Sequence, residues 1–105
     1  MRVKTNELTG AALDWAVAKC EGVVYHGPAW TKYSTDWAQG GPIIEREKTA
    51  IKENGYGHWF AKVGAGKWMR GPTPLIAAMR CCVASKLGKE IDVPEALLNQ
   101  KGERE

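Results

Sequence analysis

Hydrophobic and polar positions divide the chain into two helical stretches and several short alternating ones. The clearest helical pattern runs from Thr73 to Leu87. Thr73 stands as its N-cap, Pro74 takes the first helical position, where no backbone donor is needed, and Gly88 follows as a left-handed C-cap. At 3.6 residues per turn, Leu75, Ile76, Met79, Cys82, Val83 and Leu87 share one broad face. Ala77, Ala78, Cys81, Ala84 and Ser85 form a small-residue back, and only Arg80 and Lys86 carry charge. The pattern predicts a helix buried on both sides, under a sheet and with a second helix or a second subunit behind it.

A second helix is predicted from a Thr9 cap to about Glu21, with Gly22 as its stop. Leu8 and Leu13 fall at the N′ and N4 positions of a hydrophobic staple. Leu13, Ala16, Val17 and Cys20 make one face, Ala11, Trp15 and Ala18 a second apolar flank, and Asp14 and Glu21 the wet side. This Ala-rich helix is the expected partner for the small back of the 73–87 helix.

The strand signals are shorter. Arg2–Thr5 and Val23–Tyr25 read as strands, and Ile43–Ile44 opens another that continues around Thr49–Lys52 past an exposed Glu45–Lys48 run. Asn54-Gly55 is a hairpin signal leading into His58–Val63, with Trp59, Ala61 and Val63 on one side. Gly64–Gly66 turns the chain into Lys67–Arg70, and Val93–Leu98 has room for one helical turn. From His26 to Pro42 no period is evident, yet the stretch is rich in Trp and Tyr, so it reads as a long ordered loop laid over the fold. The expected architecture is α+β: a small antiparallel meander packed on one face by two α-helices, with a long, aromatic, Gly-rich loop. Residues 1–98 are expected to form one domain and 99–105 a frayed tail.

Composition and charge narrow the function classes. The net charge is +3, but residues 54–89 hold six basic side chains and no acid. Such a block attracts anions, or is simply a solvated positive face. No apolar run approaches the roughly 20 residues of a membrane span, and the N-terminus does not read as a signal peptide. Three cysteines, two of them adjacent on a helix, make no disulfide framework and fit a reducing cytoplasm.

The leading candidate site is the segment from Trp30 to Gly41. Trp30, Tyr33 and Trp37 offer flat faces for a base or sugar; Ser34, Thr35, Asp36 and Gln39 offer hydroxyl, carboxylate and amide groups; Gly40 and Gly41 can turn backbone N–H groups toward a ligand. The plainer alternative is a loop pinned by its aromatic residues, with Asp36 in an Asx-turn and Gly-Gly-Pro as a corner. The second candidate is the N-terminal end of the 73–87 helix, where free N–H groups and Arg70 would hold a phosphate near Thr73. Thr73 as a simple cap is the competing reading.

Catalytic and metal chemistry find little support. Gly64-Ala65-Gly66-Lys67 lacks the Walker spacing, His26 and His58 are far apart in sequence, and no Cys-x-x-Cys occurs. Cys20 and Cys82 read as small hydrophobes, and Cys81 as the more exposed thiol. Sequence-specific DNA recognition is disfavoured, because the two helices lack helix-turn-helix spacing and the 73–87 helix is too apolar for a groove.

Three blocks carry a family resemblance: Leu8–Gly22, containing Leu13-Asp14-Trp15-Ala16; Ser34–Glu47, containing Thr35-Asp36-Trp37-Ala38-Gln39-Gly40-Gly41-Pro42; and Gly71–Cys81, containing Gly71-Pro72-Thr73-Pro74-Leu75. Together they resemble the NinX family of small proteins from temperate enterobacterial phages and prophages. Residues 45–70 match least distinctively, and Cys82 stands where an aromatic residue is expected. The resemblance implies a phage accessory protein made in the bacterial cytoplasm and supplies no mechanism. Such proteins commonly interfere with host proteins or sequester nucleotide signals of host immunity. The expected function is therefore non-catalytic binding of a small anionic, nucleotide-derived ligand, without cofactor or metal. The alternative is a protein-interaction module that inhibits or redirects a host factor. A homo-oligomer is expected in both cases, since a two-helix layer leaves apolar surface to cover.

Overall fold

The computed structural model describes residues 1–98; the tail expected at 99–105 lies outside the described residues. The elements follow the order β1 (Arg2–Lys4), a 3-10 turn (Thr5–Glu7), α1 (Gly10–Glu21), α2 (Trp37–Glu47), β2 (Ala50–Glu53), β3 (Trp59–Lys62), β4 (Met69–Gly71), α3 (Pro74–Leu87) and β5 (Glu90–Asp92). Residues 95–98 are helical and bury Leu97. The fold class is α+β, as expected, with β2-β3-β4 forming an antiparallel meander. A second, two-stranded sheet pairs β1 with β5, an element the sequence reading left out, and Val23–Tyr25 forms no strand.

The largest departure is α2. Gly40, Gly41 and Pro42 argue against a helix, so Ile43–Ile44 reads from sequence as a strand start, yet all five lie inside α2. An interior proline removes a backbone hydrogen bond and crowds the preceding turn, at a cost of about 3 kcal/mol or more. Tertiary contacts and caps offset it. Asp36 caps the N-terminus by accepting from the Ala38 amide at 2.9 Å, Lys48 closes the C-terminus in the left-handed conformation, and Ile43 is buried in the core.

Helix α3 is the centre of the core. It contacts α1, α2, all three meander strands and β5. Thr73 Oγ1 caps it, accepting from the Ile76 amide at 3.1 Å, and both of its faces are buried, as the pattern predicts. The assignment of those faces is the reverse of the expectation. The small back meets the sheet: a Cβ on Gly71 of β4 would lie 2.6 Å from the Ala77 amide, and Cys81 and Ala84 line one cavity with Val63 and Met69. The bulky face meets the other helices, with Leu75 against Gly40 of α2 and Cys82 beside Cys20 of α1. Large side chains on the inner side of the sheet (Ile51, Trp59, Val63, Met69) need a small opposing surface, while the alanines of α1 leave room for Leu75, Met79 and Val83. Cys81, expected to be the exposed thiol, is buried between α3 and the sheet, and that burial pushes its thiol pKa up.

Side-chain hydrogen bonds tie the layers together. Arg80 of α3 donates to the Leu8 carbonyl at 2.7 Å and to the Arg70 carbonyl at 2.8 Å, joining the start of α1 to β4. Arg46 forks onto both oxygens of Glu21 at 2.8 Å, while Glu47 also meets Lys86 at 3.4 Å, so the C-terminal ends of α1, α2 and α3 are linked. The Arg46 guanidinium holds both Glu21 and Glu47 below the usual carboxylate range.

Gly40 and Gly41 give a direct test of the packing. A Cβ at Gly40 would lie 2.4 Å from the Tyr33 carbonyl oxygen and 2.7 Å from Leu75 Cδ1, whereas at Gly41 the nearest atom is 3.9 Å away. Gly40→Ala is expected to destabilise by about 1–3 kcal/mol through overpacking. Gly41→Ala, in the same helix, is expected to stabilise by up to about 1 kcal/mol through helix propensity. Urea denaturation of the two variants beside the parent chain checks the opposite signs.

Candidate functional site

The connection from α1 to α2 is held by its own polar groups. Trp30 and Thr31 amides donate to the Gly27 carbonyl, Thr35 and Asp36 amides to that of Lys32, and the His26 amide to Thr31 Oγ1. Gln39 reaches back along this connection, accepting from the Lys32 amide at 2.8 Å and donating to the Trp30 carbonyl at 3.0 Å. Both ends of its amide are engaged within the chain. Asp36 caps α2, and the Gly40 amide donates to the Asp36 carbonyl at 2.9 Å. Gly40 and Gly41 are thus helical packing positions and do not offer N–H groups to a ligand.

What the fold does bring together is a shallow cleft of about 220 Å³ between the starts of two helices. Ser34, Thr35 and Trp37 form one wall; Thr73, Pro74, Leu75 and Ile76 form the other. The Trp37 segment and the Thr73 helix end, read from sequence as two separate candidates, thus lie side by side. Trp37 keeps 53% of its surface exposed at the cleft. The Thr73 cap uses the Ile76 amide, and the Ala77 amide donates to the Thr73 carbonyl, leaving Leu75 as the first N–H of α3 after Pro74. The positive end of α3 therefore faces the cleft, while Asp36 places a carboxylate on the start of α2. The cleft is smaller than the roughly 300–1,000 Å³ that encloses a drug-sized ligand, and its walls suit one planar ring with a short polar attachment.

Other predicted residues lie elsewhere. Trp30 is 78% exposed and does not line the cleft, nor does Tyr33, whose carbonyl packs on Gly40. Arg70 is also outside it. Strand alternation puts Met69 and Gly71 toward α3 and Arg70 on the opposite face of the meander, in register with Phe60 and Lys52. Pro74, read from sequence as the first helical residue, and Leu75 and Ile76, read as packing residues, are the cleft wall that sequence reasoning missed. Their position directly after the Thr73 cap was the available signal.

Behind the cleft sits a small buried polar group. Asp14, expected on the wet side of α1, is buried, and its Oδ1 accepts from the Ser34 amide at 2.8 Å. The hydroxyls of Ser34 and Tyr25 are also buried, and neither has a partner at hydrogen-bond geometry among the described residues. Burial pushes the Asp14 carboxyl above the usual range, opposed by the Ser34 side chain and amide beside it. Among the described residues no group of three or more His, Cys, Asp or Glu side chains is placed to hold a metal, and no helix is long and apolar enough to cross a membrane.

Fold and cleft together define a small α+β protein with a shallow cleft between two helix N-termini. The family comparison is more specific: residues 4–86 match the model described as Bacteriophage P22, NinX. The chain belongs to the NinX family, and membership of this phage family indicates a phage accessory protein. Comparison with curated proteins finds no match.

The Asp14 environment has a pH consequence. The folded chain holds the Asp14 proton more tightly than the unfolded chain does. Its contribution to stability is therefore greatest at low pH and falls as pH rises from the ordinary Asp pKa of about 3.9 through the raised folded value. Asp14→Asn keeps an acceptor for the Ser34 amide. It is expected to be more resistant to urea than the parent chain at neutral pH, with the difference shrinking as pH falls toward about 4. A pH series of urea midpoints for both chains checks the sign.

Proposed function

We propose that this phage protein is a non-catalytic binder that sequesters a small anionic, nucleotide-derived ligand, such as a host immune signal, in the bacterial cytoplasm. The observation that carries the reading is the cleft where Trp37 meets the N-terminus of α3. In this reading a base or other flat ring lies on Trp37 against Pro74 and Ile76. The hydroxyls of Thr35 and Thr73 bind ribose, and the Leu75 amide with the positive helix end receives a phosphate. Ser34, held from behind by Asp14, fixes the floor of the cleft. In this reading the cleft holds its ligand without transforming it.

A second reading rests on a different observation. Val23, Val24, Trp30 and Trp37 are large, exposed apolar residues on or beside one connection, with Val24 70% and Trp30 78% exposed. In that reading they anchor an interface with a host protein or with a second copy of the chain, and Trp30 is the central contact.

Thermal-shift and calorimetric screens against cyclic dinucleotides and ADP-ribose derivatives separate the two. Under the first reading at least one nucleotide at about 100 times its Kd stabilises the fold by about 2.7 kcal/mol, raising Tm by roughly 10 °C or more. Trp37→Ala abolishes that gain without lowering the ligand-free Tm appreciably. If no nucleotide stabilises the chain, or Trp37→Ala leaves binding intact, the first reading fails. Capture of one host protein that is lost on Trp30→Ala supports the second.

A further inference from the structure

The outer face of the meander is a separate surface with its own chemistry. Helix α3 covers the inner face only. On the outer face Lys52, Phe60 and Arg70 stand in register across the three strands. The pairing of Ala61 with Met69 sets Lys62 opposite Trp68 one position further along. Trp68 is 38% exposed, and the ammonium groups of Lys52 and Lys62 lie 4.3 Å and 5.0 Å from its ring centroid.

Trp68 is also a shared wall. On one side it bounds an open cleft of about 320 Å³ with Lys52 and Phe60; on the other it bounds one of about 400 Å³ with Lys4, Asn6, Lys67 and Lys89. Five lysines thus surround one indole along a continuous path from β2 across the sheet edge to the segment after α3. None of them, nor Arg70, is in an ion pair among the described residues. The two acids on the path stand at its ends: Glu53, and Glu90, which already meets Arg2 at 3.3 Å.

We propose that this face binds single-stranded nucleic acid, with bases stacked on Trp68 and Phe60 and phosphates held by Lys52, Lys62, Lys67, Lys4 and Lys89. A row of unpaired cations suits a polymer with a repeated negative charge better than a mononucleotide, which would satisfy only one or two of them. Aromatic residues on an open antiparallel sheet present flat faces to unstacked bases, which duplex DNA does not offer. The lysines over Trp68 fit the exchange energetically. Stacking of a base on an aromatic side chain outweighs an exposed cation–π contact and frees the ammonium for a phosphate. The proposal is independent of the Trp37 cleft, on which none of these residues lies.

Fluorescence anisotropy with labelled oligothymidylate and oligouridylate of about 12 nucleotides, within the site sizes of small single-strand modules, tests the proposal. Binding is expected at about 50 mM salt, falling log-linearly with salt at a slope of about −0.7 per phosphate contacted. Trp68→Ala is expected to weaken it by roughly 5- to 100-fold. Lys52→Gln with Lys67→Gln, which leaves the indole and the core untouched, is expected to shallow the slope by about 1.4. Binding of either oligonucleotide supports the proposal, whichever of the two is preferred. Trp37→Ala is expected to leave this binding unchanged, and Trp68→Ala to leave nucleotide capture at the cleft unchanged. The proposal is overturned by absence of binding to both oligonucleotides at low salt or by equal binding of a duplex. It is also overturned if the double lysine variant, with a circular dichroism spectrum like the parent's, binds with unchanged affinity and slope.

Discussion

Close approach to both sides of α3 is the constraint on which the structure depends. Gly71 lets β4 approach so closely that a Cβ there would lie 2.6 Å from the Ala77 amide, and Gly40 lets α2 approach so closely that a Cβ there would lie 2.7 Å from Leu75 Cδ1. With both approaches made, a single helix serves as the core of a small three-layer arrangement: sheet, α3, and the pair α1 and α2. The small back of α3 fits the large inward residues of the meander, and its bulky face fills the space above the alanines of α1. Dispersion and burial reward this interdigitation, because interiors are packed at crystal-like density and even one extra methyl group must displace something.

The candidate cleft is a by-product of the same constraint. Once Gly40 seats α2 on Leu75, the start of α2 and the start of α3 must lie side by side, and Trp37 is carried to the mouth of the space between them. The polar groups of the connection are spent on holding that geometry: Gln39 pins Lys32 and Trp30, and Asp36 caps α2. What remains available is an exposed indole, the hydroxyls of Thr35 and Thr73, and a helix terminus. Charge is distributed differently. Sheet alternation sends Arg70 to the outer face with Lys52 and Lys62, so the basic character read in residues 54–89 belongs mainly to the meander and its edges, away from the cleft.

Much of the fold was legible in the residues. Thr73, Pro74 and Gly88 marked α3 at both ends, the Leu8–Leu13 staple and Gly22 marked α1, and Asn54-Gly55 marked the β2–β3 hairpin, where the Tyr56 and His58 amides both donate to Asn54 Oδ1. These signals are local, so one sequence suffices to read them. Helix α2 was hidden because its local preferences oppose it; Gly40, Gly41 and Pro42 are helical only through caps and core contacts. Asp14 likewise looked solvent-facing by helical period, and a segment 20 residues further along buried it by donating the Ser34 amide.

The sequence by itself determined the α+β class, helices α1 and α3, the hairpin, the double-sided burial of α3 and the membership of a phage family. Tertiary structure alone decided which face of α3 meets the sheet, that Gly-Gly-Pro is helical, that Ser34, Thr35 and Trp37 face Thr73, and that Arg70 does not. The physical reason is range. Caps, turns and periodicity act over a few residues and are written in neighbouring letters. The side a helix presents, and the partners a loop meets, depend on fitting volumes contributed by segments tens of residues apart, and no local pattern carries that sum.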